Sequence, residues 1–270
     1  MNGGMGEGMD AVKRRIKMTV AYDGTAYSGW QLQRDVTSVQ GVLEEALGKL
    51  VGCEVRVNGS GRTDRGVHAR GQVAHADVTT QMSEKSLLMG MNATLPPDVR
   101  VLSLVKARPN FDARRSAHGK EYRYFVWNDR LILPDRRLYA AHIYGELDLE
   151  RMREGAKRFV GTHDFAAFCA NPHRKLNSTV RIVTAVSITK RGKEFTFSVK
   201  GGGFLYKQVR SIVGFLLRIG AGEEPPEAVT ELLEAAQPRT ARVPSAPARG
   251  LFLWKVWYRS VVPKGVADEA

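Results

Sequence analysis

Residues 57–78 read VNGSGRTDRGVHARGQVAHADV. Asp64 sits here between two guanidinium side chains, Arg62 and Arg65, with Gly61 and Gly66 outside them. A carboxylate in such a glycine-bounded loop suits four chemistries. A phosphate-binding loop needs a Lys followed by Ser or Thr after its glycines; residues 59–66 lack that pair, and a carboxylate at the centre has the wrong sign. A metal loop would recruit His68, His75 and Asp64, with Asp77 as a fourth. Their spacing matches no ligand pattern, and the two arginines repel a divalent cation. A purely structural Asp would accept backbone N–H groups and shape a turn. A catalytic Asp would act as nucleophile or base, and neighbouring cations favour the ionised form that this needs. The loop alone leaves these last two open.

The flanking periodicities supply the elements that must hold the loop. Residues 16–22 alternate and are rich in β-branched types, which predicts a strand; 39–51 carry apolar residues at helical spacing. Strands are expected over 54–57 and 72–78, on either side of the loop. A Ser-capped helix is expected over 83–92, stopping before Pro96-Pro97, and a strand over 99–105. The second half repeats the order: strand 121–127, helix 149–160, a hairpin of 180–189 and 194–200 about Arg191-Gly192, helix 204–219, a further helix 226–236, and strand 251–258. The predicted fold class is α+β: two ferredoxin-like, RNA-recognition-like βαββαβ halves. The expected division is a flexible tail over 1–15, one half over 16–112, the second over 113–260, and a tail over 261–270. Sheets of this kind bind RNA on an open face, although neither half shows the aromatic signature of an RNA-recognition motif.

Charge points to the partner. The 270 residues carry 41 Lys+Arg against 28 Asp+Glu, a net +13, while 43% hydrophobic content is ordinary for a globular chain. Such an excess suits a polyanion, because each phosphate neutralised releases counterions. Residues 100–137 hold ten Lys+Arg against four acids, interleaved with Phe111, Tyr122, Tyr124, Phe125 and Trp127. Bases stack on aromatic rings and on guanidinium planes alike, so the mixture favours nucleic acid. Residues 237–250 have three arginines and no acid. Cys53 and Cys169 are too few for a disulfide framework or a zinc site, and the expectation is two buried free thiols in a reducing compartment. No apolar run is long enough for a membrane span, and the N-terminal stretch lacks a signal-peptide core.

Residues 61–69, Gly-Arg-Thr-Asp-Arg-Gly-Val-His-Ala, followed by Gln72-Val73-Ala74-His75, closely resemble the catalytic loop of the TruA family of tRNA pseudouridine synthases. Further marks follow in order: Tyr22-Asp23-Gly24-Thr25-x-Tyr27-x-Gly29-Trp30-Gln31, Phe111-Asp112-Ala113-Arg114, Lys120-x-Tyr122-Arg123-Tyr124 and His163-Asp164-Phe165. Phe204-Leu205-x-x-x-Val209-Arg210-x-Ile212-Val213-Gly214 and Ala246-Pro247-Ala248-x-Gly250-Leu251 complete the set. The resemblance implies a fold of two α/β halves related by a pseudo-two-fold, joined through a central antiparallel sheet, with helices outside and a basic cleft. It implies isomerisation of uridine to pseudouridine at positions 38–40 of the tRNA anticodon stem-loop, without cofactor or metal, by a cytoplasmic homodimer. One departure is Arg65, where many family members have a small residue.

The resemblance also implies roles. Asp64 is the catalytic carboxylate; attack on C1′, attack on the ring and removal of a ribose proton all stay open. Arg62 enters the space that a flipped base vacates or holds its phosphate, and Tyr122 packs on the flipped uracil. Arg210, on a helical wheel for 204–219, falls at the edge of the buried stripe, where an unpaired guanidinium is costly; the family offers Asp64 as its partner. Arg65, His68, Arg114, Arg115, Lys120 and Lys207 join Tyr122 as substrate-binding residues, and Arg218 with the basic segments grips RNA backbone.

Overall fold

Ile16, Met18, Val20 and Tyr22 are buried while the residues between them are less so, and this two-residue period makes β1 (Val12–Tyr22) a strand with one face in the core. The structure, a computed structural model, describes residues 12–170 and 177–258. The expected tails therefore fall mostly outside the described residues. Residues 12–15 are a correction: they belong to β1, because Arg14 and Arg15 find partners there. Arg15 grips Asp77 through two contacts of 2.8 and 2.7 Å, and Arg14 donates to Thr80 O at 3.1 Å.

The first half continues with α1 (Val39–Val51), β2 (Asn58–Gly59), β3 (His68–Thr80), α2 (Glu84–Thr94) and β4 (Val99–Lys106). Ser38 caps α1 by accepting from Gly41 N–H, and Gly52 closes it at φ 74°, a left-handed conformation that costs glycine nothing. The strand expected over 54–57 does not form. The Glu44 carboxylate takes the Val57 N–H at 2.9 Å, and only Asn58 and Gly59 pair with β3.

The second half holds β5 (Gly119–Asn128), β6 (Ala141–Ile143), α3 (Leu149–Lys157), β7 (Gly161–Asp164), β8 (Val180–Arg191), β9 (Glu194–Gly201), α4 (Gln208–Gly220), α5 (Ala228–Ala235) and β10 (Leu251–Trp257). β6 and β7 were too short to be read from periodicity. α4 is buried on nearly every side, which explains its almost unbroken apolar run. It starts four residues later than the pattern suggests, because Lys207 adopts φ 59°.

All ten strands form one sheet, ordered β4-β1-β3-β10-β5-β9-β8-β7, with β2 added to β3 and β6 to β5. The α+β class and the doubled βαββαβ order are thus present. Within each half the main strands pair antiparallel, but the joint between halves is parallel and short: Phe252 opposite His68 and Leu253 opposite Ala69. At the joint the third strand of one half meets the last strand of the other. The halves follow one another along the sheet.

Among the described residues no helix is long and apolar enough to cross a membrane. Both cysteines are free; Cys169 is buried as expected, but Cys53 is exposed.

Gly59 marks a tightly packed point of the first half. A methyl group there would lie 2.5 Å from the buried indole of Trp30. Gly59→Ala is expected to destabilise the protein by about 1–3 kcal/mol, the usual cost of overpacking, and thermal unfolding measures this.

Candidate active site

The loop carrying Asp64 is fastened on both sides. Before it, Ser60 Oγ donates to Gln72 Oε1 at 2.7 Å, Gln72 Nε2 donates to Gly61 O at 2.9 Å, and Lys120 Nζ donates to Ser60 O at 2.8 Å. Next to it, Thr63 O accepts Trp30 N–H at 3.1 Å, and the Thr63 hydroxyl bonds the Tyr22 hydroxyl at 2.8 Å. Gly29, at φ 98°, passes so close to Thr63 O that any side chain would collide. Asp64 O accepts Val67 N–H at 3.1 Å, closing a turn. The backbone is held by these groups, so the carboxylate itself is left for other work.

Its partner comes from the other half. Arg210, in the first turn of α4, donates from Nε to Ala246 O at 2.7 Å and from Nη1 to Asp64 Oδ2 at 3.3 Å. Both side chains are mostly buried, 13% exposed for Arg210 and 23% for Asp64. Burial pushes the Asp64 carboxyl above the usual range, while the charge and hydrogen bond of Arg210, and then the charge of Lys207, pull it back. This corrects the sequence-based expectation that Arg62 and Arg65 keep Asp64 ionised. Both arginines are exposed, and Arg62 Nε donates to Gln31 Oε1 at 2.8 Å.

A cleft of about 590 Å³ opens in front of Asp64, between its loop, the start of β10 at Leu251 and the turn before α4. Arg62, Asp64, Arg114, Arg115, Lys120, Tyr122, Lys207 and Arg210 all line it. Tyr122 is buried, with Phe204 packed edge-on at 5.3 Å between ring centres. Asp112 Oδ1 accepts the backbone N–H groups of Arg114 and Arg115 at 2.8 and 2.7 Å, fixing a turn that carries both guanidiniums. Burial, with Arg114 nearby, brings Lys120 down to about 8.

Arg65 and His68 do not line the cleft. His68 has 0% of its surface exposed. Its Nδ1 accepts Gly24 N–H at 3.0 Å, and its Nε2 lies 3.1 and 3.2 Å from Leu138 O and Arg249 O. Although Asp23 lies 3.1 Å away, burial dominates and lowers the imidazole's proton affinity. His68 is a neutral structural link between the halves. Arg218 and Arg242 are likewise occupied, through Glu223 and Glu224, so the segment after α5 is less available to a polyanion than its composition suggests.

Reading the sequence missed several cleft or loop residues: Trp30, Gln31, Gln72, Tyr206 and Gln208. Trp30, Gln31 and Gln72 lie inside the quoted motifs. Tyr206 and Gln208 follow from a backbone path that periodicity does not encode.

A mostly buried carboxylate, its raised pKa opposed by one buried guanidinium, faces a cationic cleft with an aromatic floor and is equipped for nucleophilic or base chemistry on a polyanionic substrate. The family pattern described as tRNA pseudouridine synthase matches residues 18–114 and 156–259. The chain is 41% identical to the tRNA pseudouridine synthase A of Exiguobacterium sibiricum, over 91% of this chain and 97% of that protein. It is 41% identical to that of Myxococcus xanthus, over 92% and 94%, and 43% identical to that of Halalkalibacterium halodurans, over 88% and 90%.

The electrostatics set a pH dependence. A reacting carboxylate must be ionised, and burial raises the pKa of Asp64, so an activity that depends on Asp64 should fall on acidification at a higher pH than for a solvated carboxylate. Arg210→Gln removes the largest opposing influence and is expected to move that acid limb further up. A pH–rate profile with an unmoved limb in the variant would show that the pair does not govern ionisation.

Proposed function

Because the chain belongs to the tRNA pseudouridine synthase family, we propose that this cleft isomerises uridine to pseudouridine in the anticodon stem-loop of tRNA, with Asp64 as its catalytic carboxylate. The observation that carries the assignment is the Asp64–Arg210 pair at the head of the cationic cleft.

The reaction breaks the N1–C1′ bond and forms a C5–C1′ bond. C5 loses a proton and N1 gains one, so nothing is oxidised or reduced. The target base must first leave its stack, at a cost of a few kcal/mol. Arg62, exposed at the cleft and steadied by Gln31, is placed to fill the space left behind. Tyr122 and Phe204 offer the extruded ring an apolar wall. Asp64 then acts where water is scarce. Its raised proton affinity makes it a stronger base and nucleophile than a solvated carboxylate, while Arg210 limits the rise so that the charged form persists. Lys120 contributes by holding Ser60 as well as by its charge. The cytoplasm is the expected compartment. The working unit is expected to be a homodimer, in which the anticodon arm and the body of one tRNA touch different subunits.

Asp64→Asn keeps the size of the side chain and removes its charge. The expected result is tRNA bound at near-native affinity with no pseudouridine formed, read by release of tritium from C5-labelled uridine. Turnover by a carefully purified Asn variant would reduce Asp64 to a turn former.

The arginines of the Asp112 turn give a separate test. Binding should weaken steeply with salt, and Arg114→Ala or Arg115→Ala should each lower the slope of log Kd against log[salt] by about 0.7–0.9, one phosphate contact. Unchanged slopes would place both side chains outside the RNA path.

A further inference from the structure

The segment Phe204-Leu205-Tyr206-Lys207 is not the start of a helix but a fixed turn in front of one that begins at Gln208. Gln208 Oε1 accepts Leu205 N–H at 2.8 Å, Gln208 N–H donates to Leu205 O at 3.2 Å, and Ser211 N–H donates to Lys207 O at 2.9 Å. Ala170 N–H donates to Tyr206 O at 3.1 Å. These bonds hold Lys207 at φ 59° and ψ 6°, a region that residues with a Cβ seldom occupy and that persists only where the surroundings impose it.

The imposed turn sorts the side chains. Phe204 packs against Tyr122 and Leu205 is buried, whereas Tyr206 and Lys207 face outward along the cleft. Tyr206 is 47% exposed; Trp30 and Tyr122, which line the same cleft, are buried. Lys207 Nζ lies 5.2 Å from the Tyr206 ring centre, and its charge is also felt at Asp64. The cleft thus carries a half-exposed aromatic ring, held by a fastened backbone, with a cation over one of its faces and the catalytic carboxylate within that cation's influence. Aromatic rings so placed bind bases by stacking and tolerate any base, since every base has a π-face. A fastened turn loses little freedom when it does so.

We infer that Tyr206 is a stacking platform for an unpaired base next to the target uridine, with Lys207 neutralising the phosphate that links the two. The inference rests on the function proposed above and adds a second nucleotide contact to it. It also accounts for the late start of α4, since a helix running through 204–207 would carry Tyr206 with the helix instead of with the turn.

The test is a double-mutant cycle. Native enzyme, Tyr206→Leu and Tyr206→Phe are each assayed under single-turnover conditions with anticodon stem-loops that carry one abasic nucleotide at successive loop positions. Tyr206→Leu should raise the half-saturating enzyme concentration about 5- to 100-fold on intact RNA, more than it lowers the rate at saturation, and Tyr206→Phe should restore binding. One abasic position beside the target should produce the same loss in the native enzyme and no further loss in Tyr206→Leu. Equal binding by a folded Tyr206→Leu enzyme, or losses that simply add at every abasic position, would overturn the platform. Native enzyme that modifies tRNA while Tyr206→Leu loses nothing leaves the reaction assignment standing without the platform. The Tyr206 coupling without pseudouridine formation does the reverse.

Discussion

The abbreviation of β2 is the constraint on which the rest depends. In the second half, β8 covers the free edge of β9 along its whole length. In the first half the corresponding strand is two residues long, so most of that edge of β3 is left open. β10 docks there, but for two residues only. The cleft opens beside this joint, between Leu251 at the start of β10 and the loop that carries Asp64. Had the chain run on along β3 past Gly59 instead of turning into the Asp64 loop, the antiparallel register would have carried it to His68 and Ala69 and left β10 no edge to join.

In that cleft the electrostatics balance two opposed effects. Burial makes the Asp64 carboxyl reluctant to ionise; the guanidinium of Arg210 and the ammonium of Lys207 make it willing. Neither cation comes from Asp64's own half, so the carboxylate acquires its character only when the halves are assembled. The same logic assigns the neighbouring loop arginines elsewhere. They are exposed to water, where a unit charge acts weakly over several ångströms, and Arg62 is turned toward Gln31. Sequence proximity made them look like the controlling charges; dielectric surroundings made Arg210 the controlling one.

The elements were legible wherever a single period ran unbroken. β1, α1 and β9 follow the expected period with ends shifted by a few residues at most, because two- and 3.6-residue spacings record which face is buried. What failed to show was set by contacts remote in sequence. His68 looked like a cleft residue, yet carbonyls from Leu138 and Arg249 draw it into the joint. Arg218 looked available, yet Glu223 and Glu224 occupy it. The start of α4 was misplaced because helical spacing continues through 204–207 while Gln208 ties its own amide back to Leu205. The residues of the cleft itself were largely readable, but only through the resemblance of their motifs; no spacing announces that positions 64, 122 and 210 meet.

The two-residue joint also has a mechanical consequence. Elsewhere the sheet transmits force through continuous ladders of backbone hydrogen bonds, stiff and insensitive to side-chain identity. Across the joint, tension passes instead through individual side chains: Lys120 to Ser60, Arg210 to Asp64, His68 to two carbonyls, and the Tyr139 hydroxyl to Asp23 at 2.7 Å. The sheet is thus softest along that line, and two of its fastenings, Arg210 and Lys120, also hold Asp64 and the loop before it. Prying the halves apart and moving Asp64 are one deformation.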